Sequence, residues 1–276
     1  MTLAALLAAG VVLNGIASVL AYRRGSVDAG GALVGTAVGA IIFGFGGPLF
    51  WSVLVAFFVT STAAGLLRHR EKEWLSSIHQ KGERRDLVQV LANGGLGALT
   101  AVFYAITRNP AWAAAFAVSF AASNADTWAS EIGVLSRGTP RSLVTFRPVP
   151  RGISGGVTLR GTLAAFAGAL LIGLVFAVAN LALRVLPVGF LRVVFFVGFG
   201  GFAGSLVDSL FGATIQAGYE SVDESGGRRL TERRRSVTGA PNVLVRGLVF
   251  VNNDMVNFLS GTVVTGLALL VAPRVF

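Results

Sequence analysis

Carboxylate and amide side chains stand at the ends of several long apolar stretches. The acidic ones are Asp126, Glu131, Asp208 and Asp254, and Asn253 directly precedes Asp254. An ionisable group inside a membrane span costs about 2.5–3.5 kcal/mol on insertion, so each is a functional candidate. Such oxygen ligands suit Mg²⁺, which takes few carboxylates and completes its shell with water and phosphates. We therefore predict a Mg²⁺ site at Asp126, Asp208, Asp254 and Asn253, with Glu131 as a further catalytic group. The structural alternative is that each Asp caps a helix or pairs with a loop Arg.

Two of these carboxylates belong to similar segments. Ser123-x-x-Asp126-Thr and Ser205-x-x-Asp208-Ser lie 82 residues apart. Positions i and i+3 share one helix face, so each Ser lies beside its Asp. The match predicts a short internal repeat that brings both carboxylates to one centre, although chance also explains so short a match. Hydroxyl and amide groups near these acids are predicted to bind substrate: Asn93, Asn124, Ser205 and Asn257.

A basic loop follows the first of these segments. No acidic residue occurs between residues 132 and 207, and this stretch contains Arg147, Arg151 and the sequence Gly-Ile-Ser154-Gly155-Gly156. Arg guanidinium groups bind phosphate oxygens in pairs, and free backbone N–H groups in a glycine-rich turn also bind anions. We predict that these five residues bind a substrate phosphate. The alternative is a loop that lies on anionic lipid headgroups.

The composition indicates a membrane protein. Hydrophobic residues make up 54% of the chain and charged residues only 13%, whereas soluble domains carry about a quarter charged residues. The net charge of +10 comes from loops between apolar stretches, which favours the membrane surface over nucleic acid as its partner. The chain has no Cys and only two His, His69 and His79, so thiolate sites and a Ser-His-Asp triad are not expected.

The apolar pattern predicts an all-α polytopic membrane protein with about eight transmembrane helices in a single domain, residues 1–276. A spanning helix needs roughly 20 apolar residues. The candidates are residues 3–21, 30–46, 48–67, 87–106, 111–135, 158–183, 191–215 and 255–271. A tight break at residues 44–48 joins the second and third. The fifth is the least apolar, because its second half is polar.

The basic residues predict the orientation. Nineteen of the 23 Lys and Arg residues fall in alternate connections, and cytoplasmic loops carry the excess of basic residues. Both termini are therefore expected outside, with cytoplasmic loops at about residues 22–29, 68–86, 136–157 and 216–253. All the candidate acids then lie at the cytoplasmic ends of their helices. The expected location is a bacterial inner membrane with the site facing the cytoplasm.

Five blocks of sequence resemble a known family of membrane proteins. They are Gln89-Val-Leu-Ala-Asn93-Gly-Gly, Ser123-Asn-Ala-Asp126-Thr-Trp-Ala-Ser-Glu131-Ile-Gly, Gly152-Ile-Ser-Gly-Gly-Val-Thr, Gly204-Ser-Leu-Val-Asp208-Ser-Leu-Phe-Gly-Ala and Asn252-Asn-Asp254-Met-Val-Asn257. Together they are similar to a family of bacteria, archaea and eukaryotes that includes plant phytyl-phosphate kinase. The resemblance covers about residues 27–260. It extends distantly to dolichol kinases and CTP-dependent lipid cytidylyltransferases.

The resemblance implies a CTP-dependent kinase that converts a prenyl monophosphate to the diphosphate. The partners it implies are an isoprenoid lipid phosphate, the nucleotide CTP with Mg²⁺, and membrane lipid. We expect no nucleic acid, and a homo-oligomer is compatible with the sequence. A lipid cytidylyltransferase or a prenol kinase is the alternative among enzymes. An ion-coupled transporter is the alternative from another class, although transporter sites usually lie near the bilayer midplane.

Overall fold

A computed structural model describes residues 2–67, 84–222, 227–236 and 239–275. The predicted loop at residues 68–86 therefore lies, up to residue 83, outside the described residues, as do His69 and His79. The helices are α1 (Leu3–Arg23), α2 (Ala29–Leu66), α3 (Leu87–Thr107), α4 (Pro110–Gly133), α5 (Leu159–Leu183), α6 (Phe190–Thr214) and α7 (Asn253–Val271), followed by a 3₁₀ turn at Ala272–Arg274.

The connections contain two small antiparallel sheets that the sequence analysis did not predict. Strands β1 (Arg141–Ser142) and β2 (Gly156–Val157) pair within the basic loop between α4 and α5. Strands β3 (Gly218–Val222), β4 (Arg228–Thr231) and β5 (Val243–Arg246) lie between α6 and α7, in the order β4–β3–β5. Both sheets belong to loops that were predicted to be cytoplasmic.

Capping residues fix where the helices begin. The side chains of Asp28, Thr158 and Asn252 accept hydrogen bonds from backbone N–H groups in the first turns of α2, α5 and α7. Asp86 and Gln89 form a reciprocal capping box at the start of α3. Such caps satisfy N–H groups that have no partner within the helix, and each contributes about 0.5–2 kcal/mol.

Helix α2 consists of two antiparallel arms that meet at Gly47. Gly47 has non-helical backbone angles and precedes Pro48. The carbonyl oxygen of Arg85 lies against Gly31 at the start of α2, and its guanidinium donates to Ser61 Oγ near the end, at 3.0 Å. A straight helix would separate Gly31 and Ser61 by about 45 Å. One arginine can contact both only because the chain reverses at Gly47, within the break that the sequence predicted.

Six helices in the described part of the chain are long and apolar enough to cross a membrane. Helix α4 is not among them, although its length matches the others. It packs against α2, α3, α5, α6 and α7, and most of its residues are buried. A helix enclosed by other helices meets little lipid, so alanine and polar residues can replace large apolar ones. The chain is therefore an all-α polytopic membrane protein, as predicted, built around a central helix.

Small residues let α4 and α6 approach each other closely. A Cβ atom added to Gly201 would lie 2.4 Å from the Cβ of Ala121, and one added to Gly204 would lie 2.4 Å from the Cβ of Ala122. Gly200 likewise faces Val118. Two of these three pairs, Gly200 with Val118 and Gly204 with Ala122, are 82 residues apart. The helices thus run parallel and in the register of the predicted repeat.

We expect the Gly204→Leu variant to lose most of its folded yield. The added side chain would overlap backbone and side-chain atoms of α4, and overpacking of this kind costs about 1–3 kcal/mol or more. The measurement is the monodisperse fraction and melting temperature in detergent. Gly266→Leu is the matched control, since Gly266 has no atom within 4 Å of an added Cβ. Normal behaviour of Gly204→Leu would contradict this view of the α4–α6 contact.

Candidate active site at one end of the bundle

A cavity of about 570 Å³ opens at the end of the bundle where the basic loops gather. Its walls come from the C-terminal ends of α4 and α6, the N-terminal ends of α3, α5 and α7, the second arm of α2, and both loop regions with sheets. The volume is within the range of about 300–1,000 Å³ that is typical of small-molecule sites. The predicted site residues that line it are Asn93, Asp126, Glu131, Arg151, Ser154, Gly155, Gly156, Ser205, Asp208, Asn253, Asp254 and Asn257.

Asp126 and Asp208 form the centre of the acidic wall. Their carboxyl groups lie close enough to interact with each other, and Ser260 Oγ donates to Asp208 Oδ2 at 2.9 Å. Two neighbouring carboxylates repel each other, so a shared proton or a cation between them stabilises such a pair. Helices α4 and α6 position the pair, because the glycine contacts place equivalent residues side by side.

The other predicted oxygen groups lie around this pair. Asp254 lies in the first turn of α7 and is only 4% exposed, while Asn253 is exposed at the cavity edge. Asn257 lies one turn further along α7, and its backbone carbonyl accepts from Ser260 Oγ. Asn93 Nδ2 donates within α3 to the backbone carbonyl of Gln89 at 2.9 Å. The cavity therefore combines acids and amides from four helices.

The predicted Mg²⁺ ligands do not form a closed cluster. Among the residues that the structure describes, no group of three Asp, Glu or His side chains is close enough to hold a metal ion. The pair of Asp126 and Asp208 still fits Mg²⁺, which is commonly held by one or two carboxylates while substrate phosphates and water complete its shell. Asp254 and Asn253 line the same cavity.

The glycine loop at residues 152–156 packs against the end of α6. A Cβ added to Gly155 would lie 2.4 Å from the backbone nitrogen of Ala213, and Gly155 has a φ of 82° that other residues adopt only with strain. This close approach holds the loop one helical turn beyond Asp208. The N–H and hydroxyl groups of Ser154 both donate to Oε1 of Glu232. The sequence analysis missed Glu232, a single acid within the basic run at residues 228–235.

Arg85 is a second site residue that the predicted set omitted. Its guanidinium donates to Ser61 Oγ and lies over the rings of Phe57 and Phe58, 5.9 and 5.8 Å from their centroids. Burial lowers the pKa of Arg85, and the negative charge of Glu131 partly offsets that effect. Its place in the basic run at residues 81–86, which leads directly into Asn93, was the available sequence signal. Arg85 lines the cavity.

Two predicted substrate-binding residues do not line the cavity. The side chain of Arg147 is exposed, in the loop that joins β1 to the glycine loop, where its backbone carbonyl accepts from Ser142 N–H. Asn124 is fully buried: it accepts from Thr60 Oγ1 and donates to the carbonyl of Gly168, each at 2.9 Å. Asn124 therefore connects α4 to α2 and α5. On a helix face shared by several partners, sequence spacing alone does not distinguish such a connection from a ligand contact.

Fold and site together define a polytopic α-helical membrane protein with a polar cavity at one end of its bundle. The chain belongs to the family described as integral membrane protein DUF92, which matches residues 12–265. Membership in this family confirms the integral membrane location.

Relatives of the chain occur in plants and archaea. Protein PGR of Arabidopsis thaliana is 31% identical over 272 residues, covering 91% of this chain and 90% of its own length. Uncharacterized membrane protein MJ0933 of Methanocaldococcus jannaschii is 34% identical over 194 residues, covering 69% of this chain and 75% of its own length. Protein VTE6, chloroplastic, of Arabidopsis thaliana is 28% identical over 144 residues, covering 50% of this chain and 43% of its own length. No solved structure matches the chain.

Proposed function

We propose that the protein is a Mg²⁺-dependent kinase that transfers a phosphoryl group from CTP to a prenyl monophosphate at the cytoplasmic membrane face. The observation that carries the proposal is the cavity, which joins the Asp126–Asp208 pair to arginines at one end of a membrane bundle. The resemblance to a family that includes plant phytyl-phosphate kinase supplies the reaction type. The similarity to protein VTE6 and protein PGR supports membership of the same family.

Phosphoryl transfer needs positioning and charge cancellation more than a strong protein base. A phosphate oxygen of the lipid attacks the terminal phosphorus of the nucleotide, the bond to the bridging oxygen breaks, and CDP leaves with the bond electrons. Mg²⁺ held at Asp126 and Asp208 would offset the negative charge of the nucleotide phosphates. Arg85 and Arg151 would bind phosphate oxygens and hold the acceptor in line. Because the cavity lies at the bundle end, the lipid tail can remain among the helices.

The position of the cavity argues against an ion-coupled transporter. Transporter sites usually lie near the bilayer midplane at the junction of helix repeats. Here the lining residues belong to helix ends and to the two loops with sheets. Substrate that arrives from water and substrate that stays in the bilayer can both reach such a site.

The test is a transfer assay with purified protein, Mg²⁺, and CTP, ATP or GTP labelled in the terminal phosphate. The acceptors are prenyl alcohols and prenyl monophosphates. We expect label in a prenyl diphosphate, with CTP as the best donor. Label in a monophosphate would indicate a prenol kinase, and release of pyrophosphate would indicate a cytidylyltransferase. No reaction from monodisperse protein, together with ion-driven uptake in vesicles, would contradict the proposal.

A further inference from the structure

Glu232 contacts the glycine loop in the way that a bound anion would. One carboxylate oxygen of Glu232 accepts from both the N–H and the hydroxyl of Ser154. Gly152 and Gly155 on either side have φ angles of 81° and 82°, and turns with alternating backbone handedness form concave anion sites from their N–H groups. The loop that was predicted to bind phosphate thus already binds an anionic group that belongs to the protein.

The surroundings of Ser154 are rich in hydrogen-bond donors. Gln216, which is 1% exposed, donates from Nε2 to Ser154 Oγ at 3.0 Å, and Arg246 Nη2 lies 3.5 Å from the carbonyl of Ser154. Burial lowers the pKa of Arg246, and the negative charge of Glu232 partly offsets that effect. Arg151, which directly precedes the glycine loop, also lines the cavity, and its guanidinium donates to the backbone carbonyl of Arg137. Such a group of donors favours an anion, and Glu232 is the anion that contacts it.

We propose that the glycine loop is a phosphate site that Glu232 occupies at rest, and that a substrate phosphate binds there by displacing the Glu232 carboxylate. The two anions compete because the N–H and hydroxyl of Ser154 cannot serve both at full strength. A phosphate carries more charge and more acceptor oxygens than a carboxylate, so it can also use Arg151. The inference rests on the proposed function only in taking phosphate as the ligand.

The test measures binding without turnover. Inorganic phosphate and pyrophosphate are titrated into the purified full chain by calorimetry, without nucleotide or Mg²⁺. We expect Glu232→Ala to bind at least about 10-fold more tightly than wild type, since a charge-assisted hydrogen bond no longer opposes the ligand. Glu232→Gln should fall between the two, because the amide still accepts from Ser154 but has no charge. Glu220→Ala is the matched control: Glu220 lies in β3, next to the strand β4 that Glu232 directly follows, and pairs with Arg228 at 3.2 Å.

Equal or weaker phosphate binding by Glu232→Ala, at an unchanged melting temperature, would overturn the proposal. If Glu232→Ala does not fold, Glu232→Gln decides in the same way. Competition by a prenyl monophosphate in nanodiscs or by CTP then shows whether the phosphate comes from the lipid or the nucleotide. Because binding is measured without catalysis, tight binding by the variant together with a negative transfer assay would reject only the kinase.

Discussion

Replacement of Asp208 by Asn is expected to lower phosphoryl transfer by at least about 10²-fold, the usual cost of losing a group that stabilises charge in the transition state. Asn keeps the size of Asp and can still accept from Ser260, but it cannot share a negative charge with Asp126. The pair then offers one carboxylate to a cation instead of two. Transfer is measured across a range of Mg²⁺ concentrations, and we expect both a lower maximum and a higher Mg²⁺ requirement.

The matched controls separate chemistry from stability. Ser260→Ala removes the hydroxyl that donates to Asp208 Oδ2 but leaves both carboxylates, so its loss should be about 10-fold or less, the lower end for an outer-shell partner. Asp126→Asn should match Asp208→Asn, because the two carboxylates form one unit. Full activity in either Asn variant, with wild-type Mg²⁺ dependence, would exclude the pair as the cation site.

Replacement of Arg85 by Ala is expected to raise the KM of an anionic substrate by about 10²-fold, since truncating one partner of a buried charged contact costs about 2–5 kcal/mol. The guanidinium is held in place by Ser61 and by the rings of Phe57 and Phe58, so it needs little ordering when a phosphate binds. Arg85→Lys keeps the charge but not the planar fork and should recover only part of the loss. KM values for nucleotide and lipid, measured separately, show which phosphate it binds.

Arg84 provides the control for this prediction. It is the preceding residue and also an arginine, but its side chain is exposed and it does not line the cavity. We expect Arg84→Ala to keep both KM values within about 2-fold, the small effect usual for an exposed charge. Equal losses in Arg84→Ala and Arg85→Ala would mean that the basic charge acts at long range. In that case the geometry around Arg85 has no specific role.

The sequence predicted the helical architecture well, because apolar stretches of spanning length leave few alternatives in lipid. It also predicted the reversal near Gly47, where glycines and a proline interrupt the apolar pattern. Helix α4 was the least apolar candidate, and the structure explains why: a helix enclosed by five others does not need a lipid-facing surface. The spacing of apolar residues predicts a helix and its apolar face, but it does not show how many other helices pack against that helix.

The sequence predicts candidate site residues best where a polar side chain lies at the end of an apolar helix. Asp126, Asp208 and Asp254 lie at helix ends that meet in the structure, and all three line the same cavity. Glu232 was missed because its contact with Ser154 joins residues 78 positions apart. It directly follows β4, a strand that the periodicity of the sequence did not predict. Arg147 and Asn124 were assigned by proximity in sequence, which does not show whether a side chain faces the cavity, solvent or another helix.

The reversal at Gly47 has a consequence for experiments with fused reporters. Hydropathy counting that takes α2 as one crossing and omits α4 gives six crossings, whereas two arms plus α4 give eight. Both totals are even, so reporters at either terminus cannot distinguish the two topologies. The two schemes assign opposite directions only to α3. A glycosylation or cysteine-labelling tag in the short connection at residues 108–109, directly after α3, therefore reveals the difference.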